Sequence, residues 1–532
     1  MKKVILLGDE ALSLGAFHAG LSVGYSYPGT PASEIMEYLI KISKSGKSLK
    51  ALWCVNEKVA YEEALGVSFA GKRAMVSMKH VGLNVAADPF MNSAITGTNG
   101  GLVLAVADDP GMHSSQNEQD SRYYAQFAKI FCFEPANHQE AYDMTRLAFD
   151  ISEEIGVPVM IRMVTRLSHS RSLVKTASLK SENTIKYGEG KDWTLLPVNA
   201  RRRFKILNDV QTKLKKVSND SKFNSLDINQ SNKSLGVIAS GIAYNYVMEN
   251  FLELETPPSF LKISTYPLPD DLIKELVDHV DSILVVEEGY PYIESHLNGI
   301  LGLNGKNIRG KLNGTLPVTG ELSSDSVRHA LEMKPKPHME PGDFKLPGRP
   351  PQLCKGCPHA DTFDALNKAL ENYPNATVFS DIGCYTLGAL PPYKAVDTCV
   401  CMGASVSMAK GGAEAGIYPS MGVIGDSTFA HSGMTPLLDA ASASTNMVLV
   451  IVDNACVAMT GLQPSFSTGG NLVRIVKGLG VEDEHVRVIV PLPKNLEKNI
   501  QVMKEEIEYE GLSVIVAARK CIQELKKKRR SQ

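Results

Sequence analysis

Two hard oxygen donors stand 28 positions apart in the last third of this sequence: Asp426, in Met421-Gly-Val-Ile-Gly-Asp-Ser-Thr, and Asn454, closing Met447-Val-Leu-Val-Ile-Val-Asp-Asn. Each follows an unbroken apolar run of strand length. Such runs read as parallel strands buried on both faces, and their C-terminal ends form the ligand crevice of an open α/β sheet. A carboxylate and an amide oxygen meeting at that rim suit Mg²⁺, which completes its octahedron with phosphate oxygens and water. A plain Gly-Asp turn between strand and helix has the same local signature, so the interval and the flanking strands carry the weight. Cys354-Lys-Gly-Cys357 adds a chelating pair, Cys384 follows a strand end at Gly383, and Cys521 lies just past the strand Leu512–Ala518.

The elements that must position these groups alternate strand and helix along most of the chain, which predicts α/β domains with doubly wound parallel sheets. Residues 1–180 form the first, with strands at Val4–Leu7, Met75 onward, Leu102 onward and Pro158–Arg162, the last closing the sheet. In it Pro28-Gly29 is a turn, Thr30 or Ser33 can cap a helix near Glu34, and Glu57 starts another helix after a short strand. The loop 111–120 is polar and long enough for function. A polar connector with one helix over Asn199–Lys216 occupies 181–234, and a small α/β domain 235–333, with a strand ending in Glu287-Glu288. A Pro-rich linker over 334–352 leads to the last α/β domain, 353–521, and a basic tail, 522–532.

A chain of 532 residues is too long for one core and predicts about three domains. Its net charge of −2 offers no footprint for nucleic acid, and no apolar window approaches a membrane span. The short apolar run after Met1 is a strand and not a signal peptide, so the expectation is a cytoplasmic protein. Nine cysteines in such a chain are not a disulfide framework.

Six motifs taken together resemble one family: Tyr27-Pro-Gly-Thr-Pro-Ala-Ser-Glu34, Lys79-His-Val-Gly-Leu-Asn-Val-Ala-Ala-Asp-Pro89, Ser115-Gln-Asn-Glu-Gln-Asp120, Cys354-Lys-Gly-Cys-Pro-His359, Asp381-Ile-Gly-Cys-Tyr-Thr386 and Cys399-Val-Cys-Met-Gly-Ala404. It is that of the thiamine diphosphate-dependent indolepyruvate:ferredoxin oxidoreductase α subunits, among the 2-oxoacid:ferredoxin oxidoreductases. The likeness runs from residue 1 to about 521. By this resemblance the first and last domains are a thiamine diphosphate-binding pair, pyrimidine-binding and diphosphate-binding, with the cofactor between them. Asp426 and Asn454 would hold Mg²⁺ with the backbone carbonyl of Cys456, and Gly403, Gly425, Ser427 and Thr460 would line the cofactor. Glu57 matches the glutamate that favours the imino tautomer of the aminopyrimidine, whose nitrogen removes the C2 proton. Thr30 matches a substrate contact, and His80 and His359 are either electrophiles for a developing alkoxide or structural histidines.

Relatives bind a [4Fe–4S] cluster with cysteines in the order of Cys354, Cys357, Cys384 and Cys521. A four-thiolate zinc site and unliganded cysteines are the competing readings. The implied reaction is oxidative decarboxylation of a 2-oxoacid, an aryl pyruvate such as indolepyruvate, to an acyl-CoA. Coenzyme A would bind a γ-type partner subunit, electrons would leave to ferredoxin or another carrier, and the chain would work as a dimer or heterotetramer. The family's ferredoxin-like C-terminal domain is not found before Gln532, which puts the electron exit in doubt. Two alternatives stand beside this reading: a non-redox thiamine-dependent decarboxylase or carboligase, and a non-catalytic cofactor-binding subunit.

Overall fold

The longest apolar runs become parallel strands: Ala74–Lys79, Leu102–Asp108, Val159–Val164, Ser420–Gly425, Met447–Asp453 and Leu512–Ala518, buried along their length except at Ala518. A strand with both faces covered must be apolar at every position, which is why these runs do not alternate. The structure is a computed structural model that describes residues 2–186, 188, 192–299, 305–337 and 351–531. The chain divides into two units, Met1–Glu340 and Pro341–Gln532.

In the C-terminal unit five parallel strands run in the order Thr377–Ser380, Ser420–Gly425, Met447–Asp453, Leu512–Ala518, Val486–Ile489. Successive residues face opposite sides. Val448, Val450 and Val452 meet Phe363, Leu366 and Met503, from the helices Pro358–Ala369 and Leu496–Glu508. Met447, Leu449 and Ile451 meet Val406, Leu437 and Val476, from Ala404–Glu414, Met434–Ser442 and Gly469–Gly478. Helices on both faces make this sheet doubly wound, and they leave its C-terminal strand ends as the open rim.

The N-terminal unit carries a seven-stranded sheet ordered Thr265–Tyr266, Phe131–Phe133, Val159–Val164, Leu102–Asp108, Ala74–Lys79, Val23–Ser26, Lys50–Trp53. All neighbours are parallel except the first pair. A second sheet is ordered Asn307–Arg309, Ser282–Val286, Leu235–Ser240, Ser259–Ile263, Ser225–Asp227, with only the last antiparallel.

Several local expectations are corrected. The strand at 158–162 does not close the first sheet, because Phe131–Phe133 and then Thr265–Tyr266 extend beyond it. The first strand, Lys3–Leu7, stays outside that sheet and pairs antiparallel with Arg171–Lys175. The connector makes two helices, Pro197–Asp209 and Gln211–Asn219, because the backbone flattens to ψ −10° at Val210. The basic tail is helical over Ile522–Ser531. The Pro-rich linker at 334–352 falls largely on 338–350, outside the described residues. Among the described residues no helix is long and apolar enough to cross a membrane.

Candidate active site

Asp426 and Asn454 come together at the rim of the C-terminal sheet because their strands are neighbours. Asp426 is buried, and its Oδ2 has no hydrogen-bond partner. Burial, with Asp453 adding repulsion, pushes this carboxyl up to about 7, although Ser465 and the N–H groups of Asn454 and Ser427 face it. A carboxylate in this position is incomplete without a cation. Asn454 Oδ1 accepts from Cys456 N–H at 3.0 Å, and its Nδ2 lies 3.1 Å from His359 Nε2. The first bond fixes which end of the amide is oxygen, so Nδ2 donates to His359. Burial, then Arg519, lowers His359 to about 4, so it is the neutral ring that can accept. His359 thus orients Asn454 and has Nε2 engaged. Oδ1 keeps a second lone pair. This donor set fits Mg²⁺ held with a diphosphate.

Just beyond Asp426 the helix widens into a π-turn, Phe429–Gly433, a distortion common at functional sites. Gly403 has φ +87° and lies where a Cβ would meet Ser432 at 2.6 Å, so no side chain fits at this turn. A Cβ on Gly425 would likewise come 2.7 Å from the Tyr385 ring. The residue organising this cradle is one the sequence reading did not single out. Asp381 is buried and accepts from Gly403 N–H at 3.1 Å, Ser405 N–H at 3.2 Å, Ser405 Oγ at 2.6 Å and the Tyr385 hydroxyl. Burial raises it to about 6. Its signal in the sequence was an acid closing a strand, the same as Asp426. Thr460 bonds Gln463 at 2.7 Å, in the turn that follows Cys456.

Four of the cysteines influence one another electrostatically. Cys357, Cys521 and Cys354 all lie within electrostatic reach of Cys384, which burial and their combined charge push up to about 12. Cys354 and Cys357 are joined in a turn by Cys357 N–H donating to the Cys354 carbonyl at 2.9 Å. Arg519, also missed, ties that turn to the last strand, donating to the Gly356 carbonyl at 2.6 Å and to Asp361. The Cys456 thiol bonds Cys521, which is lowered to about 6 by that bond. All nine cysteines are free. Among the described residues no three His, Cys, Asp or Glu side chains share the spacing of a single metal ion. A cluster spreads its thiolates over separate irons, and Mg²⁺ draws on amide, carbonyl and phosphate oxygens.

In the N-terminal unit Glu57 opens the helix Glu57–Phe69, capped by Asn56 Oδ1 accepting from Val59 N–H at 2.8 Å. Its buried carboxylate packs over Gly82 of the helix His80–Val85, where a Cβ would meet Oε1 at 2.5 Å. At the start of that helix His80 Nε2 lies 3.2 Å from the Asn117 carbonyl and side-chain oxygens, and its buried Nδ1 has no partner. Lys79 donates to the Ser114 carbonyl at 2.8 Å, and burial lowers it to about 8 despite Asp109. Ser114 Oγ donates in turn to the Thr30 carbonyl at 3.3 Å. The loop 111–120 thereby joins Thr30, Lys79 and His80. Ser33 does not cap a helix. Its Oγ accepts from Gly29 N–H at 3.0 Å and braces the turn, because Ala32 occupies the cap position.

Two family models match the chain, "Pyruvate flavodoxin/ferredoxin oxidoreductase, thiamine diP-bdg" over residues 14–199 and "Thiamine pyrophosphate enzyme, C-terminal TPP binding domain" over residues 381–517. Indolepyruvate oxidoreductase subunit IorA of Archaeoglobus fulgidus is 39% identical over 98% of this chain and 86% of its own length. That of Methanothermobacter thermautotrophicus is 37% identical over 98% and 87%. A solved 2-oxoglutarate:ferredoxin oxidoreductase from Magnetococcus marinus shares the fold, with a TM-score of 0.51 at 15% identity over 62% of this chain and 65% of that one. The chain belongs to the indolepyruvate oxidoreductase IorA subunit family, a thiamine diphosphate-binding family of oxidoreductases.

Proposed function

We propose that this chain is the thiamine-binding subunit of an enzyme that oxidatively decarboxylates aryl pyruvates such as indolepyruvate to acyl-CoA and passes the electrons to an iron–sulfur acceptor. The observation that carries the reading is the buried Asp426 with its unpartnered Oδ2 beside Asn454, a site incomplete without a cation. Bound thiamine diphosphate supplies a carbon nucleophile and an electron sink for decarboxylation. In this reading Asp426, Asn454 and the Cys456 carbonyl hold Mg²⁺, with Gly403, Gly425, Ser427 and Thr460 along the diphosphate. Glu57 holds a proton at the aminopyrimidine. His80 offers Nδ1, and Thr30 a hydroxyl, to the substrate's polar end. Cys354, Cys357, Cys384 and Cys521 hold a [4Fe–4S] cluster, supported by their shared electrostatic environment. A γ-type subunit brings coenzyme A, ferredoxin or a similar carrier takes the electrons, and the chain works as a dimer or heterotetramer. A cytoplasmic setting belongs to the same reading, in keeping with nine free thiols.

The test is indolepyruvate-dependent reduction of a viologen dye by the anaerobically purified complex with its partner subunit and coenzyme A. Glu57→Gln should reduce turnover at least 100-fold, as removal of a proton-holding group does, while leaving far-UV circular dichroism unchanged. Wild-type turnover in that variant would remove Glu57 from the chemistry. Release of CO₂ without any acceptor, and no dye reduction, would overturn the oxidative reading.

A further inference from the structure

Cys456 and Cys521 stand at the same height beyond neighbouring strands of the C-terminal unit. Met447–Asp453 and Leu512–Ala518 run parallel with Asp453 opposite Ala518, and each cysteine lies three residues past that pair. Neighbouring strands lie about 4.8 Å apart. Past the strand ends both chains are tied back to one residue. Cys456 N–H donates to Asn454 Oδ1, and Cys521 N–H to the Asn454 carbonyl, each at 3.0 Å. The two side chains meet as a result, one thiol bonded to the other. A disulfide needs Cα atoms about 4.4–6.8 Å apart and side chains directed at one another. Two tethers on a single residue bring this pair close to that arrangement.

Burial decides what can reach them. Cys456 is 4% exposed and Cys521 7%, which shuts out a bulky thiol such as glutathione and admits hydrogen peroxide, little larger than water. Cys521 leads into the helix Ile522–Ser531, and among the described residues beyond Cys521 none is buried. A segment with so little buried surface opens at low cost, so the backbone carrying Cys521 is lightly held on that side. Cys354, Cys399 and Cys401 are exposed and meet an oxidant first. Exposure alone gives a sulfenic acid, however, and a lasting product needs a second thiol in contact with it. Cys456 and Cys521 are each other's second thiol.

We propose that Cys456 and Cys521 form a redox modification site that closes to a reversible disulfide under hydrogen peroxide. Peroxide transfers one oxygen to one of the two sulfurs, its O–O bond breaking and a first water leaving. The neighbouring sulfur then displaces that oxygen as a second water, and the S–S bond forms. The two thiols lose two protons and two electrons, and the peroxide is reduced to two waters. A dithiol reductant reopens the bond by exchange. The site is made by residues of this chain alone and stands without the cofactor reading. Its consequence rests on that reading: closure takes Cys521 out of the four cysteines assigned to the cluster, and does so beside Asn454.

The experiment treats the full chain, purified without oxygen and freed of reductant, with graded amounts of hydrogen peroxide. Free thiols are counted after denaturation, and tryptic peptides are mapped by mass spectrometry without reduction. The count should fall by two from nine, one peptide should join Cys456 to Cys521, and dithiothreitol should restore both thiols. Cys456→Ser should slow the loss of the Cys521 thiol at least tenfold. The wild-type map decides even if that variant folds poorly. Links between Cys354 and Cys357, or Cys399 and Cys401, with Cys456 and Cys521 still reduced, would overturn the site. So would sulfinic acid at Cys521 beside a free Cys456, because a thiol in contact captures the sulfenic acid first. Iron measured on the untreated protein reports on the cluster alone, so the two readings fail independently.

Discussion

Asp9 lies in the first turn of the helix Gly8–His18 with its carboxyl fully buried. Burial pushes it up to about 8, Ser168 and His169 offset part of that, and Glu34 adds to it. An unfolded Asp ionises near its ordinary value, so the contribution of this group is fully present below that pH. It is lost as pH rises toward about 8, because the folded state must then hold an uncompensated charge. Asp9→Asn keeps the shape without the charge. It should leave the thermal midpoint near pH 4 nearly unchanged and raise it at pH 9 by several degrees, as followed by circular dichroism. Equal effects at both pH values would show that Asp9 is not the titrating group. Nothing in Leu7-Gly-Asp-Glu10 marks Asp9 as buried, since Gly-Asp-Glu reads equally as a solvated helix start. Glu57 has the same local signature, an acid in a helix's first turn, and only the family resemblance set it apart. His359 was half legible. Its neighbourhood with the cysteine pair was plain, but its bond to Asn454, 95 residues away, is a product of the sheet.

Among elements, the strands were legible and their partners were not. The sequence shows strands ending in Asp108-Asp109 and in Glu287-Glu288, but not what neutralises them. In the folded unit two fully buried arginines pair with the first acid of each doublet. Arg162 pairs with Asp108 at 2.6 Å and with Glu134, and Arg122 pairs with Glu287 at 2.8 Å and bonds Asp120 and Tyr266. Both donate to the Glu288 carbonyl, at 3.0 Å and 3.1 Å, so strand ends from the two sheets of this unit share one network. Tyr290 extends it, its hydroxyl donating to the Glu118 carbonyl at 2.7 Å in the loop that also meets His80. Ion pairing between positions as far apart as 122 and 287 leaves no periodic trace, whereas apolar runs do. Breaking one member of a buried network leaves its partners charged and unpaired, at about 3–5 kcal/mol. Arg162→Leu should destabilise the N-terminal unit by about that much in urea unfolding. Arg166→Leu, which removes a half-exposed pair with Glu321, should cost less than about 1 kcal/mol. Equal losses would mean that the buried network is no more costly to break than a surface pair.

For the molecule as a whole, composition excluded more than it identified, and the family lay in the order of motifs along the chain. What the sequence could not convey is that Asp426, buried with no counter-cation, is a burden on the folded protein above neutral pH. With Asp426 pushed up to about 7 beside Asp453, each rise in pH above neutrality forces a charge into a buried position. By linkage that stability is present at low pH and lost as pH passes about 7. In the proposed reading a divalent cation with the diphosphate would supply the missing counter-charge. Adding thiamine diphosphate and Mg²⁺ at 100 times their dissociation constant should stabilise the folded chain by about 2.7 kcal/mol, and EDTA should remove the gain. Asp426→Asn separates the two roles. Without ligands at pH 8 it should melt at or above the wild-type temperature, because the buried charge is gone. It should show no stabilisation by thiamine diphosphate and Mg²⁺ up to millimolar concentration, and no turnover. Both halves are read from one thermal melt series at pH 6 and pH 8. A variant that melts lower than wild type at pH 8 without ligands, yet keeps the ligand-induced rise, would place the cation elsewhere and make Asp426 an ordinary structural acid.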